Sequence, residues 1–308
     1  MKKIFIDGAA GTTGLRIYER IGERGDLALL TLPEDLRKDP GARRRALNEC
    51  DIAFLCLPDQ AAVEAVAMVE NPHVTVIDAS TAHRTHPGFA YGFPELSAGQ
   101  RERIQQSNRI SVPGCHAAGF IALVAPLVQK GVLSPDAGLF CHSLTGYSGG
   151  GKSMIAQYEA GREDPLLQAP RQYGLTQQHK HLKEMRYMTG LSHEPIFCPI
   201  VSDFYSGMEV TVPLFARDIR GTIEDIRAIY RDLYHTPVVH YTEAADEQGF
   251  LSAAGYSGKD SMQITVAGNA ERILLIARYD NLGKGASGAA LQCMNLKLNM
   301  DETKGLQL

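Results

Sequence analysis

The sequence predicts an α/β fold in which a Rossmann-like parallel-sheet domain is joined to a second, α+β domain. Short apolar runs alternate with helical segments over the first 80 residues, whereas longer strand candidates with fewer helices follow residue 138. A chain of 308 residues also corresponds to about two domains at roughly 150 residues each.

The first domain is predicted from four apolar runs, which are strand candidates at Lys3–Asp7, Leu27–Leu32, Ile52–Leu57 and Val74–Asp78. Amphipathic or polar segments separate them, and this rhythm is typical of a parallel sheet covered by helices on both faces. A further strand, Arg109–Val112, leads through Pro-Gly-Cys into an apolar helix expected at about 116–128.

The second domain is predicted to be mixed and largely antiparallel, with strands at Leu139–Leu144, Ile196–Phe204, Met208–Phe215, Met262–Val266 and Ile273–Tyr279. Its clearest helix is Thr222–Tyr234, with Thr222 as the expected cap. A last helix at about 285–298 is expected to pack on the first domain, whereas segments 159–173 and 242–258 are polar and irregular.

Composition excludes several classes of protein. The 31 Lys plus Arg and 35 Asp plus Glu give a net charge of -4, which offers no electrostatic basis for nucleic-acid or membrane binding. The longest run without a charged or strongly polar side chain, 117–128, contains Pro126 and is short of the roughly 20 residues of a membrane span. Six scattered cysteines without a CxxC pair, and an N-terminus without a secretory pattern, favour a reduced, cytoplasmic protein.

A glycine-rich turn follows the first strand and opens a helix. Its glycines are Gly8, Gly11 and Gly14, and Thr12 and Thr13 lie between the last two. Backbone amides and the helix N-terminus in such a turn can bind a pyrophosphate. The spacing is GxxGxxG rather than GxGxxG, and glycines in such turns also serve packing, but the βαβ context favours a dinucleotide site.

Basic residues beyond the second strand bear on the choice of dinucleotide. Arg37 and Lys38 could meet a 2'-phosphate and would favour NADP, although a solvated loop explains them equally well. The Arg43–Arg45 cluster is expected on an exposed helix face.

Cys115 is the one cysteine whose sequence neighbours suggest reactivity. Pro113 and Gly114 force a turn just before the apolar helix, and the free amides at a helix start stabilise a thiolate. Cys56 and Cys141 are expected in the core of strands, and Cys50, Cys198 and Cys293 have no activating neighbour.

The QHKHLKE segment at 178–184 offers a proton-transfer partner for such a thiolate. If it is helical, His181 and Glu184 lie on one face, so that Glu184 could orient the imidazole. A solvated polar helix is the alternative, and a zinc site that includes His179 is disfavoured because a second ligand set is lacking.

A second glycine-rich turn, GYSGGGK at 146–152, carries Ser148, Gly149 and Lys152, which suit an anionic substrate group. The literal pattern GxxxxGKS is present, but we expect neither the strand-loop-helix unit nor the acidic partner strand of a nucleotide-triphosphate site. A phosphotransferase is therefore disfavoured.

Taken together, these motifs resemble the short form of the N-acetyl-gamma-glutamyl-phosphate reductase family, within the aspartate-semialdehyde dehydrogenase-like superfamily. The matching segments run in family order along nearly the whole chain: 4–17, 77–84, 91–96, 111–120, 146–152, 177–185 and 280–295. The resemblance implies a dinucleotide-binding domain at 1–115 plus 286–308 and a catalytic and oligomerisation domain at 116–285.

The resemblance also implies roles for individual residues. Cys115 would be the nucleophile, His181 is favoured as the acid/base group and His179 as a substrate ligand. Asn281, Lys284 and Gly285 would lie near the nicotinamide, alongside Gly8, Gly11, Thr12, Thr13, Gly14 and Arg37 at the rest of the cofactor. The expected substrate contacts are Ser80, Arg84, Ser148, Gly149, Lys152 and Glu184, and no metal is implied.

The implied reaction is reduction of an acyl phosphate by NADPH through a Cys115 thioester, within arginine biosynthesis in the cytoplasm. The expected partner is a small acyl-phosphate substrate, and the expected assembly is a homodimer or homotetramer. Aspartyl or aminoadipyl phosphate remain alternative substrates. A cysteine acyltransferase or hydrolase, or a non-catalytic nucleotide sensor, would represent different classes of protein.

Overall fold

The computed structural model describes residues 1–161 and 163–308, and the predicted irregular segment 159–173 therefore includes one residue, Arg162, that lies outside the described residues. The chain divides into two compact units. Unit 1 comprises residues 1–94, 98–113 and 289–306, and unit 2 comprises residues 95–97, 114–288 and 307–308.

Unit 1 contains a sheet of six strands, all parallel, in the order β2-β1-β3-β4-β6-β5. Its strands are β1 (Lys2–Asp7), β2 (Leu27–Leu30), β3 (Ile52–Leu55), β4 (Thr75–Asp78), β5 (Ala90–Tyr91) and β6 (Arg109–Ser111). The direction of the connections reverses between β1 and β3, and ligands of open α/β sheets bind at the carboxyl ends of strands at such a point.

Four helices cover this sheet: α1 (Thr12–Gly22), α2 (Pro40–Glu49), α3 (Asp59–Ala67) and α4 (Ala98–Gln106). The last helix, α10 (Gly288–Lys297), contributes Ala289, Leu291 and Met294 to the same buried cluster as Ile4 of β1. This confirms that the C-terminal helix packs on the first domain.

Unit 2 contains a mixed, mostly antiparallel sheet of seven strands in the order β11-β12-β13-β10-β7-β9-β8, as predicted. Its strands are β7 (Phe140–Gly146), β8 (Arg171–Gln172), β9 (Ile196–Ser202), β10 (Met208–Phe215), β11 (Val239–Tyr241), β12 (Met262–Gly268) and β13 (Arg272–Tyr279). Its helices are α5 (Cys115–Gln129), α6 (Gly151–Ala160), α7 (Pro165–Gln168), α8 (Lys180–Thr189) and α9 (Ile223–Leu233).

Helix α5 forms the centre of unit 2, since every residue from His116 to Leu127 is buried. It packs against α8, α9, β10 and β13. Thr222 caps α9 in a reciprocal box with Asp225, as its sequence position predicts. No helix in the described part of the chain is long and apolar enough to span a membrane.

Candidate active site

The glycine-rich turn of unit 1 lies at the carboxyl end of β1. Gly8 has φ +87°, and a Cβ there would lie 2.3 Å from the Cys56 carbonyl oxygen. A Cβ on Gly14 would lie 2.5 Å from the Gly8 carbonyl oxygen, so neither position accepts a side chain. These close approaches hold the turn against the loop after β3, at the reversal of strand order.

The start of α1 fits an anionic group. Gly11 is the N-cap and offers no side chain to the first amides, and no acidic residue occurs in the first turn. The Thr12 hydroxyl is buried, and no hydrogen-bond partner for it occurs in the described structure. Thr13 is half-buried beside it. Free amides, a helix N-terminus and an unengaged hydroxyl are the groups that a pyrophosphate needs.

A cavity of about 790 Å³ adjoins this turn and extends past the end of β2. Arg37 and Lys38 line it, as does Arg43. The Arg37 side chain is 54% exposed and pairs loosely with Glu34 at 3.4 Å.

Arg43 corrects one expectation, because it is not part of an exposed helix face. Its guanidinium donates to Asp7 Oδ2 from Nε at 3.0 Å and from Nη2 at 2.8 Å, and both side chains are largely buried. Arg44 and Arg45 are exposed, as predicted. The sequence could not separate the three arginines, because the Asp7 partner of Arg43 lies 36 residues earlier.

Ser80 and Arg84 brace the carboxyl ends of β4 and β6 in unit 1. Ser80 Oγ donates to Asp78 Oδ2 at 2.8 Å, and His83 Nδ1 lies 2.6 Å from the same oxygen. Arg84 Nε donates to the Val112 carbonyl at 2.9 Å, and Nη2 donates to the Ala79 carbonyl at 3.1 Å. Their predicted contact with substrate stays a prediction.

Cys115 is the first residue of α5 and is half-buried. Its N-cap, Gly114, is extended and has no capping side chain, and no acidic residue occurs in the first turn. Tyr279 Oη donates to the Cys115 carbonyl at 2.5 Å and accepts from Gly119 N at 3.0 Å, which fixes the backbone of this turn. A Cβ on Gly285 would lie 3.1 Å from Cys115 Cβ, so this glycine leaves room for the cysteine.

Three of the other cysteines lie in environments that suppress thiolate formation. Burial raises the pKa of Cys50 and of Cys56 to about 12, and it raises the pKa of Cys141 further. Cys56 is not inside its strand as expected: β3 ends at Leu55, and Cys56 is half-buried in the loop that meets Gly8.

The histidine segment forms the start of α8, and His181 and Glu184 lie together on its buried face, as predicted. Glu184 Oε1 accepts from Gly114 N at 2.8 Å, so this carboxylate holds the start of the cysteine helix. His179 is the N-cap, where its Nδ1 accepts from His181 N at 3.3 Å. Burial, together with the Lys180 charge, lowers the pKa of His179.

Sequence reasoning missed a cluster of rings around these histidines. The buried His116 ring lies 5.5 Å from that of His181 and 5.3 Å from that of Phe197, measured between centroids. Tyr173 lies 6.0 Å from His116 and from His179. The position of His116 directly after Cys115 was the available signal, whereas nothing in the sequence marks Tyr173.

The loop before α8 is tied to β9 through one side chain. Gln177 has φ 55°, donates to the Phe197 carbonyl at 2.7 Å and accepts from Phe197 N at 2.9 Å. This pairing fixes the approach of the chain to His179.

The second glycine-rich turn differs from expectation in that β7, a turn and α6 do form a strand-loop-helix unit. Its amides are nevertheless engaged: Gly146 N, Tyr147 N and Ser148 N donate to carbonyls of residues 204–207. These three amides are therefore not available to nucleotide phosphates, and Lys152 is exposed.

Asn281 and Lys284 are held within unit 2 by side-chain bonds. Asn281 Nδ2 donates to Ser148 Oγ at 3.0 Å, and a Cβ on Gly149 would lie 3.3 Å from that nitrogen. Lys284 lies in a π-helical turn, Gly283–Ser287, where its ammonium forms a buried ion pair with Glu95 at 2.8 Å. The structure thus brings Asn281, Ser148 and Gly149 together.

Within the described residues, no group of three or more His, Cys, Asp or Glu side chains is arranged to hold a metal ion.

Comparisons with known proteins agree with this arrangement. Residues 23–107 match the semialdehyde dehydrogenase NAD-binding domain, and residues 115–281 match the semialdehyde dehydrogenase dimerisation domain. Aspartate semialdehyde dehydrogenase II of Vibrio cholerae, complexed with ASA, superposes with a TM-score of 0.72 at 15% identity over 97% of this chain and 98% of that one. The NADP-bound aspartate semialdehyde dehydrogenase of Candida albicans gives a TM-score of 0.66 at 15% identity over 96% and 98%. The chain therefore has the fold of an oxidoreductase of the semialdehyde dehydrogenase class.

More similar sequences narrow this class. A protein of Nostoc sp. named N-acetyl-gamma-glutamyl-phosphate reductase 2 is 42% identical over 99% of both chains. The Pseudomonas putida protein of the same name is 45% identical over 98% of both, and a Chelativorans sp. reductase is 46% identical over 96% of this chain and 98% of its own. The chain belongs to the N-acetyl-gamma-glutamyl-phosphate reductase family.

Proposed function

We propose that this chain reduces N-acetyl-gamma-glutamyl phosphate to N-acetyl-glutamate semialdehyde and phosphate in arginine biosynthesis, with NADPH as reductant and Cys115 as nucleophile. The observation that carries the proposal is the half-buried Cys115 at the start of α5, with the buried His181 and Glu184 of α8 packed against that helix. The names and full-length similarity of the relatives support the substrate.

The turn of unit 1 would hold the cofactor. Gly8, Gly11 and Gly14 admit a pyrophosphate because they carry no side chain, and the Thr12 hydroxyl is available to a phosphate oxygen. When bound, the cofactor supplies the hydride that reduces the acyl group. Arg37 and Lys38 in the adjoining cavity support NADP over NAD, whereas Arg43 is already paired with Asp7.

Cys115 would attack the acyl carbon as a thiolate, which the amides at the start of α5 stabilise. A carbon–sulfur bond forms, the bond from carbon to the phosphate oxygen breaks, and phosphate leaves with its electron pair. The resulting thioester accepts hydride more readily than a carboxylate does, and the semialdehyde then leaves as the sulfur regains the electron pair.

His179 would bind the substrate, and His181 would transfer the proton. His179 Nδ1 accepts the His181 amide proton, so its ring proton resides on Nε2, which suits donation to a substrate oxygen. His181 would then give its proton to the departing Cys115 sulfur, as the oxyanion formed by hydride transfer collapses to the aldehyde. Glu184, bonded to Gly114 N, would hold α8 and the cysteine turn in register.

A second copy of this chain would cover the open face of the unit 2 sheet. Phe140, Ile196 and Leu274 are large apolar side chains that this face leaves exposed, and the matching domain is described as a dimerisation domain. A homodimer or homotetramer in the cytoplasm is the form we propose, and sedimentation measures its mass.

The experiment follows the reverse reaction, in which NADP is reduced with N-acetyl-glutamate semialdehyde with and without phosphate. We expect phosphate-dependent turnover, because phosphate must release the acyl group from sulfur. Cys115→Ser should abolish it, whereas Cys198→Ser, which changes a half-buried cysteine on β9, should not. Equal turnover without phosphate, or faster turnover of aspartate semialdehyde, would overturn the proposal.

A further inference from the structure

The residue that follows Cys115, His116, belongs to a hydrogen-bonded row of three polar side chains. Ser143 Oγ of β7 lies 2.6 Å from His116 Nδ1, and His116 Nε2 lies 2.6 Å from the Tyr173 hydroxyl. Ser143 and His116 are buried, whereas Tyr173 is half-buried at the outer end of the row. All three belong to unit 2.

The direction of the protons follows from burial. Ser143 is fully buried, and His116 is the one hydrogen-bond partner of its hydroxyl within the described structure. A buried hydroxyl that donated to nothing would lose the free energy of its hydrogen bonds to water. Ser143 therefore donates to His116 Nδ1, the ring proton resides on Nε2, and Nε2 donates to the Tyr173 oxygen. The phenol proton is consequently left to point away from His116.

The row stays neutral at physiological pH. Burial, with a smaller effect of His179, lowers the pKa of His116 to about 3, so the ring keeps one proton. Burial, with a smaller effect of the Cys115 charge, raises the pKa of Tyr173, so the phenol keeps its proton too. His116 directly follows Cys115 in α5, so the phenol bonded to its ring lies at the same end of this helix as the cysteine.

A neutral donor beside a nucleophilic sulfur suits one task in acyl transfer. When the sulfur adds to a carbonyl, the carbonyl oxygen becomes negative, and donors that are already oriented stabilise that charge.

We propose that the Tyr173 hydroxyl is a catalytic hydrogen-bond donor to the oxygen of the acyl group on Cys115, and that Ser143 and His116 are positioning residues that aim it. The phenol keeps its proton, and no bond to it forms or breaks. This inference rests on the proposed function for the identity of the acyl group but not for the role of Cys115 as acceptor of an acyl group.

The test uses an activated ester, p-nitrophenyl acetate, which acylates a reactive thiolate without any cofactor and releases coloured nitrophenolate. The initial burst of nitrophenolate, which reports acylation of Cys115, should vanish in Cys115→Ser. Its rate constant should fall about 100-fold in Tyr173→Phe, as for loss of one oxyanion donor. Tyr187→Phe, on the exposed face of α8, is the matched control and should acylate normally.

Ser143→Ala separates positioning from general damage to the fold. It should slow acylation about tenfold on its own, since the ring then loses the donor that sets its tautomer. In the Tyr173→Phe background it should cause no further loss. Two effects that multiply in the double variant would overturn the positioning role.

The tautomer itself is measurable in the whole protein by ¹⁵N NMR with labelled histidine. We expect the His116 proton on Nε2 in the wild type and a mixture of tautomers in Ser143→Ala. A wild-type proton on Nδ1, or normal acylation in Tyr173→Phe, would refute the inference. Failure of the proposed function has a different signature, namely a normal burst without reduction of NADP by N-acetyl-glutamate semialdehyde.

Discussion

Two alanine substitutions in the same turn should separate its structural role from its role in binding. Gly14→Ala would place a Cβ 2.5 Å from the Gly8 carbonyl oxygen and 3.0 Å from Ala9 Cα, both of them backbone atoms that cannot rotate away. Forcing a methyl group into packed backbone costs about 1–3 kcal/mol of unfolding free energy.

Gly11→Ala presents the opposite case. Its Cβ would lie 3.5 Å from the Gly8 carbonyl oxygen, which is ordinary contact, and its φ of -74° is open to alanine. Replacing glycine by alanine at an N-cap costs about 0.5–1 kcal/mol. The new methyl group would nonetheless stand on the turn that a pyrophosphate must approach closely, so we expect the Kd for NADPH to rise about tenfold or more.

The assay pairs thermal unfolding without cofactor with a fluorescence titration of NADPH. Gly22→Ala, at the other end of α1 with no atom within 4 Å of the new Cβ, is the control and should change neither binding nor, beyond a small gain, stability. If Gly11→Ala binds NADPH as tightly as the wild type, the pyrophosphate does not lie on this turn and the assignment of the cofactor site is wrong.

Further predictions concern unit 2. Lys284→Met should lower the unfolding free energy by about 3–5 kcal/mol, because it leaves the buried Glu95 carboxylate without the Lys284 ammonium. Adding Glu95→Leu to this variant should recover most of the lost unfolding free energy in urea titrations. Equal stability of the single and double variants would contradict this prediction. The pKa of His116 is about 3 in the folded chain and near 6.5 in the unfolded chain, so below pH 6 only the unfolded state binds a proton at this ring. The unfolding free energy should therefore fall by about 1.4 kcal/mol for each pH unit below pH 6. That part of the slope should be missing in His116→Gln, and an unchanged slope would refute the assignment. Glu184→Gln keeps an acceptor for Gly114 N, whereas Glu184→Ala leaves this buried amide without an acceptor. Only the alanine variant should therefore lose about 1–3 kcal/mol of unfolding free energy, measured by denaturant unfolding.

The fold was predictable because its signals are local. The strands β1 to β4 of unit 1 are compact apolar runs, and the Thr222 side chain marks the start of α9. The two-residue strand β5 was not predicted, because it is too short to form such a run. Errors occur where a partner elsewhere in the chain decides the outcome. The second strand stops at Leu30 because its pairing with β1 ends there, although the apolar pattern continues to Leu32.

The start of the last helix shows the same limit. The sequence predicts a regular helix from about Gly285, whereas the chain first makes a π-helical turn and α10 begins at Gly288. Asp280 Oδ1 accepts from Leu282 N and Gly283 N, and this carboxylate reshapes the approach to the helix. Hydrophobic periodicity contains no information about such a bond.

The candidate site likewise contains parts that the sequence predicts and parts that only the fold brings together. The glycine turn, Cys115 and the histidine segment each carry their chemistry within a few residues, so the sequence suffices to find them. The Ser143–His116–Tyr173 row spans separations of 27 and 57 residues, and the fold alone brings it together. The sequence alone gives His116 no task beyond its position directly after Cys115.

The groups that we assign to stabilise charge around Cys115 are neutral, and this has a consequence for the reaction. Thiolate attack on an acyl phosphate moves negative charge from sulfur to oxygen, and a fixed cation beside the sulfur would stabilise the thiolate before the reaction as well as the oxyanion during it. The groups of unit 2 near Cys115 that the inference assigns to this charge are neutral dipoles: the amides of α5 and a phenol held by a ring that does not ionise. The amides stabilise the thiolate before attack, the phenol donates to the oxygen that becomes negative during it, and the proton for product release is then left to His181.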